Sequence, residues 1–191
     1  MQPPQAELLR ALLVEQRVLS LAVVADDRPV IGLLPFALSG DGRALIVHAS
    51  RLARHSAGLV EGAPFDALVH EPVTGDVDPL QVRRVTLRGE VRAFAEHDAA
   101  RAPDRAAYLA RFPDAEPITA LGDFAFFRLE IAGGRLVSGF GGAVNLNARA
   151  LPSLLAVGGV CNGRYEGSED ATERECGGGE VARETVGRTH E

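Results

Sequence analysis

Short β-branched and aliphatic runs separated by turn residues dominate the first three quarters of the chain. Residues 18–25 (VLSLAVVA) and 30–38 (VIGLLPFAL) are two such runs, and the turn sequence Asp26-Asp27-Arg28-Pro29 joins them. Residues 44–49 and 65–71 are further runs of the same kind. The short links between successive runs favour antiparallel pairing, so this region predicts a strand meander.

The alternation of apolar and charged side chains is clearest at residues 82–95 (VRRVTLRGEVRAFA). Such a period of two is typical of a strand with one buried and one wet face. Residues 124–132 and 135–141 predict a closing hairpin, with Gly133-Gly134 as its tight turn. A barrel would leave these strands without exposed edges.

Two segments have helical rather than strand periodicity. Leucines at positions 8, 9, 12 and 13 predict an amphipathic helix over residues 5–16. Residues 104–112 (DRAAYLARF) predict a second helix, which Asp104 would cap and Pro113 would end. The predicted fold class is therefore mainly β with flanking helices.

The segment Ser50-Arg51-Leu52-Ala53-Arg54-His55 is the most informative local pattern. Ser50 is a natural N-cap, which predicts a short helix whose first turn is basic. Cations at a helix N-terminus oppose the macrodipole, and a bound phosphate would remove that conflict. Ser50 and Arg51 are therefore candidates for a phosphate site. The alternative is that these arginines are ordinary solvated surface residues.

Composition excludes several classes of function. All 20 basic residues are arginine, so a Schiff-base lysine and a Walker A lysine are ruled out. The net charge of -6 argues against nucleic acid or an anionic membrane surface as a partner. We expect no membrane span and no signal peptide, since Glu7 and Arg10 interrupt the N-terminal apolar stretch. With its two cysteines far apart, at positions 161 and 176, the chain fits a reducing cytoplasm.

The histidines do not predict a metal site. His48 and His70 fall on predicted strands, where a histidine is more often a hydrogen-bonded wall residue than a ligand. No two histidines have the spacing of a zinc or non-haem iron site. No catalytic acid or base can be named from the sequence.

The last 34 residues, 158–191, differ from the rest: they hold eight glycines, eight acids and four arginines. So little apolar surface cannot offset the entropy of ordering, which predicts disorder from about residue 158.

Several stretches in order resemble the pyridoxamine 5'-phosphate oxidase-like FMN-binding split-barrel family, and specifically its haem-utilisation branch. They are VIGLLPFAL, HASRLARHSAGL, DPLQVRRVTLRGEV, AAYLARFPDAE and FFRLEIAGGRLVSGFGGA. The resemblance implies an antiparallel split β-barrel over residues 1–148, followed by an extension at 149–191.

The resemblance also implies a homodimer that binds flavin mononucleotide (FMN) in a cleft between its subunits. Ser50 and Arg51 would hold the phosphate, with His55 nearby, and Thr86 or Arg88 would be a further cofactor contact. Arg88 is equally well explained as a charge on the wet face of its strand. The implied function is that of a cytoplasmic oxidoreductase, linked to haem or iron utilisation, which acts on a small redox substrate.

Three alternatives remain open. The protein could bind, store or sense flavin or haem without turnover; it could be a deazaflavin-dependent reductase; or haem could be its ligand or substrate. Haem, if bound, is expected to use a loop or terminal histidine rather than His48 or His70. Ser56, Ala57 and Gly58 stand where the branch commonly has threonine and asparagine, and no arginine-rich C-terminal segment is present. Oxidation of pyridoxamine phosphate is therefore disfavoured.

Overall fold

The computed structural model describes residues 1, 3–75, 78–94, 99–119 and 121–156. The chain divides into two units, Met1–Gly159 and Val160–Glu191. The segment from residue 158 onward, for which disorder is predicted, lies outside the described residues, as do both cysteines. The remainder of this section concerns the first unit.

Seven antiparallel strands form one sheet in the order β3-β2-β1-β4-β5-β6-β7, and β3 also pairs with β6. This additional pairing closes six strands into a barrel, from which β7 extends alongside β6. The strands are β1 Val18–Ala25, β2 Arg28–Leu38, β3 Ala44–Ser50, β4 Pro64–His70, β5 Arg84–Ala93, β6 Phe124–Gly139 and β7 Gly142–Asn147. The predicted split β-barrel is thereby confirmed.

Short helices surround the barrel. They are α1 Pro3–Glu15, α2 Ala102–Arg111, α3 Glu116–Thr119 and α4 Leu151–Ala156, with 3₁₀ helices at Arg54–Gly58, Pro79–Gln81, Ala99–Arg101, Pro113–Ala115 and Ala148–Ala150. Both α1 and α2 lie where the sequence predicts them. Among the described residues no helix is long and apolar enough to cross a membrane.

The barrel interior is the main hydrophobic core. Its fully buried side chains include Leu19, Leu21, Phe36, Leu45, Leu87, Leu129 and Leu136, and leucines of α1 join them. A second, smaller cluster lies outside the barrel wall, where Tyr108 of α2 packs on Ile46 of β3 and Phe126 of β6. Strand β3 is therefore buried on both faces.

Arg111, the last residue of α2, ties the two long helices together. Its guanidinium donates hydrogen bonds to the carbonyl of Leu13 at 3.0 Å, to that of Val14 at 2.8 Å and to that of Gln16. These carbonyls belong to the C-terminal end of α1, which a cation stabilises. Burial lowers the pKa of Arg111, and the charge of Arg17 lowers it further.

A buried ion pair holds α2 against β6. Arg128 Nη1 lies 2.8 and 2.9 Å from the two carboxylate oxygens of Asp104, and the two residues are 7% and 6% exposed. The same guanidinium donates to Asp41 at 2.7 Å. The prediction that Asp104 caps α2 is wrong: the N-cap is Arg101 and makes no side-chain cap. The carboxylate turns inward because a buried guanidinium needs a partner.

The predicted turn at Gly133-Gly134 is also wrong. Strand β6 runs through both glycines, and the chain reverses at Phe140 and Gly141 instead. Gly134 is required for close strand approach, since a Cβ there would lie 2.4 Å from the carbonyl oxygen of Thr86. A glycine pair therefore marks a tightly packed strand here rather than a hairpin turn.

We expect Asp104→Asn to lower the free energy of unfolding by about 3 kcal/mol, because it leaves the Arg128 charge buried with weaker compensation. Urea unfolding measures this. The matched control is Glu90→Gln, which removes an exposed partner of Arg92 and should cost under ~1 kcal/mol. Equal losses in the two variants would contradict a structural role for the buried pair.

Candidate functional site

Ser50 ends β3 and anchors the turn that follows it. Its hydroxyl donates to Asp123 Oδ2 and accepts from the N–H of Leu52, both at 3.2 Å. The N–H of Arg51 donates to the carbonyl oxygen of Asp123 at 2.6 Å. The turn is thereby fixed to the chain segment that enters β6.

The prediction that Ser50 starts a helix is wrong. A 3₁₀ helix of five residues begins only at Arg54, and its N-cap, Ala53, makes no side-chain hydrogen bond. Ser50 is instead held in the β3–β6 ladder opposite Phe124, so its hydroxyl closes a turn. The macrodipole argument for a phosphate therefore no longer applies at this position.

The arginines of this turn provide a different reason to expect an anion. The side chains of Arg51 and Arg54 are exposed, and within the described ranges neither guanidinium forms an ion pair or a hydrogen bond. Two free guanidinium forks near a tethered turn suit a phosphate group, which accepts bidentate hydrogen bonds.

His55 lies against the β1–β2 hairpin rather than beside the two guanidiniums in solvent. An ideal Cβ on Gly32 of β2 would be 2.5 Å from His55 Nδ1, so the imidazole occupies the space a side chain would fill. His55 Nε2 is buried and has no hydrogen-bond partner among the described residues. Burial lowers the pKa of His55, which keeps the ring neutral at neutral pH.

Thr86 and Arg88 lie together elsewhere, in a groove of about 410 Å³ on the outer face of the sheet. In the strand register Asp66 is opposite Arg88, and Arg135 is opposite Thr86. Arg135 donates to Asn145 Oδ1 at 2.9 Å. The groove therefore presents hydroxyl, amide and guanidinium groups, together with the carboxylate of Asp66, to a polar ligand.

The structure does not bring all five predicted site residues together within one chain. Ser50 is opposite Phe124 on β6, whereas Thr86 is opposite Arg135. These two β6 positions are separated by ~36 Å of strand at about 3.3 Å per residue. One small ligand that contacts both groups would therefore require two chains.

The outer face of the β1–β2 hairpin is apolar, and no other part of the described chain covers it. Ile31 is 74% exposed and Leu33 is 69% exposed, and Val18 and Val24 of β1 are also exposed. The register places Leu33 opposite Ser20 and Ile31 opposite Ala22, so these positions form one continuous surface. An apolar sheet face of this kind marks an interaction surface.

The histidines on strands differ from each other. The prediction of a hydrogen-bonded wall residue holds for His70, whose Nδ1 lies 2.7 Å from the carbonyl oxygen of Glu71. His48 is a wall residue that forms no such bond with the part of the chain that the structure describes. It faces a cavity that sequence reasoning missed, which Tyr108, Phe112 and Phe124 also line. The aromatic residues of AAYLARF and FAFF were the available signal, but only the docking of α2 on β3 brings them together. His97 and His190 lie outside the described residues.

No protein-family model and no curated protein matches the sequence, but solved structures do. A heme binding protein from Mycobacterium smegmatis matches with a TM-score of 0.68 and 25% identity, over 80% of this chain and 62% of that one. HutZ, described as a heme storage protein from Vibrio cholerae, matches with a TM-score of 0.58 and 23% identity, over 75% of this chain and 93% of HutZ.

A third match is a Clostridium acetobutylicum protein of the pyridoxinephosphate oxidase family, related to general stress protein 26. Its TM-score is 0.57 at 11% identity, over 79% of this chain and 99% of that one. The chain has the split-barrel fold of this family. The resemblance to the haem-utilisation branch is confirmed at the level of the fold, since haem proteins are among the structural neighbours of this split barrel. The chain spans less than two thirds of the Mycobacterium protein.

Replacement of Gly32 by alanine should destabilise the split barrel by roughly 1–3 kcal/mol, because the new methyl group overlaps the His55 ring. The control is Gly40→Ala, where a Cβ would meet nothing within 4 Å. In Gly32→Ala/His55→Ala, the smaller side chain at position 55 should restore part of the loss. Urea unfolding of the three variants tests this, and a Gly32→Ala protein as stable as the wild type would refute the packing.

Proposed function

We propose that this split barrel is a homodimeric FMN-binding oxidoreductase of the cytoplasm, linked to haem or iron utilisation. The observation that carries the proposal is the pair of guanidinium groups of Arg51 and Arg54, which have no partner among the described residues and lie on a turn that hydrogen bonds to Asp123 hold in place. The 3₁₀ helix that Arg54 begins packs on β1 and β2 on the face of the hairpin to which Gly32 belongs, whereas the exposed Ile31 and Leu33 point to the other face.

The residues present fit a flavin mononucleotide. Arg51 and Arg54 would hold the phosphate, since their guanidinium groups are unpaired within the described part of the chain. His55 would support the turn from the side of Gly32 rather than contact the phosphate as a cation, because its pKa is lowered. When bound, the flavin would supply the electron transfer. The protein would bind it, orient it and control the access of solvent.

We include a homodimer in the proposal because the two groups of site residues lie far apart along β6. Thr86 and Arg88 lie far along β6 from the Arg51 turn, so their groove would serve a cofactor held by the other subunit. The apolar β1–β2 face offers the surface on which two copies would associate, and the small redox substrate would enter the cleft between them.

Haem binding is the second candidate function, and the comparisons favour it because two matched proteins are described as haem proteins. The described histidines support it less well. His48 lines an open cavity of about 330 Å³, from which most of a tetrapyrrole would extend into solvent. His55 is covered, and His70 is exposed on the surface, so neither ring lies in an enclosed haem site. We therefore retain a loop or terminal histidine as the expected axial ligand.

Arg51→Ala should weaken FMN binding by ten- to a hundredfold, because it removes a charge-assisted contact. Riboflavin has no phosphate and should bind the variant and the wild type equally. Arg28→Ala, an exposed arginine at the start of β2, is the matched control and should bind FMN like the wild type. Titration of both flavins into the three proteins measures the effect. Unchanged affinity of Arg51→Ala for FMN would remove the phosphate assignment.

The spectrum of the purified protein distinguishes the two candidate functions. A flavin absorbance that a reductant bleaches and an acceptor restores would support the oxidoreductase. A protein that takes up haemin but not FMN would support haem binding and exclude the proposed cofactor.

Leu33→Arg should convert a dimer into a folded monomer, because it places a charge at the centre of the apolar β1–β2 face. Leu80→Arg, at another exposed leucine, should leave the dimer intact. Light scattering at micromolar concentration gives both masses. A wild-type monomer with flavin bound would contradict the shared cleft.

A further inference from the structure

A cavity of about 330 Å³ lies outside the barrel, between strands β2 and β3 on one side and α2 and the segment after it on the other. Its lining includes Pro35, Tyr108, Phe112, Pro113, Ile118 and Phe124. At ~30 Å³ per water molecule, the volume corresponds to roughly eleven waters. It has room for a molecule of one or two rings.

Two polar side chains in this cavity have no partner. His48 is 7% exposed and Tyr108 is 3% exposed. Within the described ranges, neither ring nitrogen of His48 nor the hydroxyl of Tyr108 forms a hydrogen bond. The two rings touch each other edge to face, with centroids 5.9 Å apart. Because the polar atoms of the two side chains keep some solvent contact, they open into the cavity and are available to a ligand.

The charges around the cavity favour an uncharged ligand. Burial lowers the pKa of His48 and the charge of Arg105 lowers it further, so the imidazole is neutral and offers one donor and one acceptor. The two charged residues that line the cavity, Arg17 and Asp114, have opposite signs. Arg17 lies 4.8 Å above the Phe112 ring, where it covers an aromatic wall.

We propose that this cavity binds an uncharged mono- or bicyclic aromatic compound that carries a ring hydroxyl or ring nitrogen. The rings of Phe112 and Phe124 contact the faces and edges of the ligand. Its polar group exchanges hydrogen bonds with His48 and Tyr108. Arg51, Thr86 and Arg88 do not line this cavity, although Phe124, which does, is opposite Ser50 in the strand ladder.

The test uses 2-naphthol as the probe and naphthalene as its counterpart without a hydroxyl group, both titrated into the full chain by fluorescence. Tyr108→Phe keeps the ring that packs on Phe126 and removes only the hydroxyl. It should weaken 2-naphthol binding about three- to tenfold and leave naphthalene binding unchanged. His48→Leu should weaken 2-naphthol binding in the same sense. A Tyr108→Phe protein that binds both probes like the wild type overturns the proposal.

A second pair of variants locates the site without touching its polar groups. Ile118→Trp fills the cavity from the exposed segment α3 and should abolish saturable binding of both probes. Glu116→Trp places the same side chain on the same segment outside the lining and should bind them like the wild type. Absence of saturable 2-naphthol binding in the wild type would also overturn the proposal. So would displacement of bound 2-naphthol by FMN, because the cavity would then belong to the flavin site.

Discussion

The pairing of β3 with β6 is the constraint on which the rest of the structure depends. Seven residue pairs, from Ala44 opposite Glu130 to Ser50 opposite Phe124, turn an open sheet into a barrel. Without them β3 would be an unpaired edge with two apolar faces. Closure buries one face of β3 inside the barrel and leaves the other for α2 to cover. The same pairing sets Ser50 beside Asp123 and His48 beside Phe126, so both candidate sites depend on it.

The arginines fall into two groups that only their surroundings distinguish. Arg128 and Arg111 are structural: one neutralises buried Asp104, and the other caps the C-terminal carbonyls of α1. Both hold α2 in place, so they also hold Tyr108 over β3 and maintain the walls of the aromatic cavity. Arg51 and Arg54 have no such partners within the described residues. In a chain whose basic residues are all arginine, this lack of partners is what makes them candidates for binding.

The two binding regions have different physical characters. The Arg51 turn is open and cationic, and the outer sheet face is open and apolar. These properties suit the proposed anionic cofactor and a second chain that would cover it. The His48 cavity is small, walled by rings and neutral inside, which suits a compact aromatic molecule. Phe124 connects the two, since it is opposite Ser50 in the ladder and also lines the cavity. A ligand in one region therefore lies near the chain segment that anchors the other.

The sequence by itself determined the strands, the two long helices and the barrel class, because these depend on local periodicity and turn chemistry. The β1–β2 turn is an example: Asp26 and Asp27 both adopt positive φ, at 51° and 56°, as a two-residue hairpin requires. Local rules failed where a distant partner competed. Asp104 forms an ion pair with Arg128 instead of capping α2, Ser50 lies in the β3–β6 ladder instead of starting a helix, and Gly134 allows close strand packing instead of forming a turn. His48 and Tyr108 are 60 positions apart in the sequence, and only the docking of α2 on the closed barrel placed them in one cavity. Periodicity reports which face of an element is buried, whereas the partner that buries it is decided by the tertiary structure.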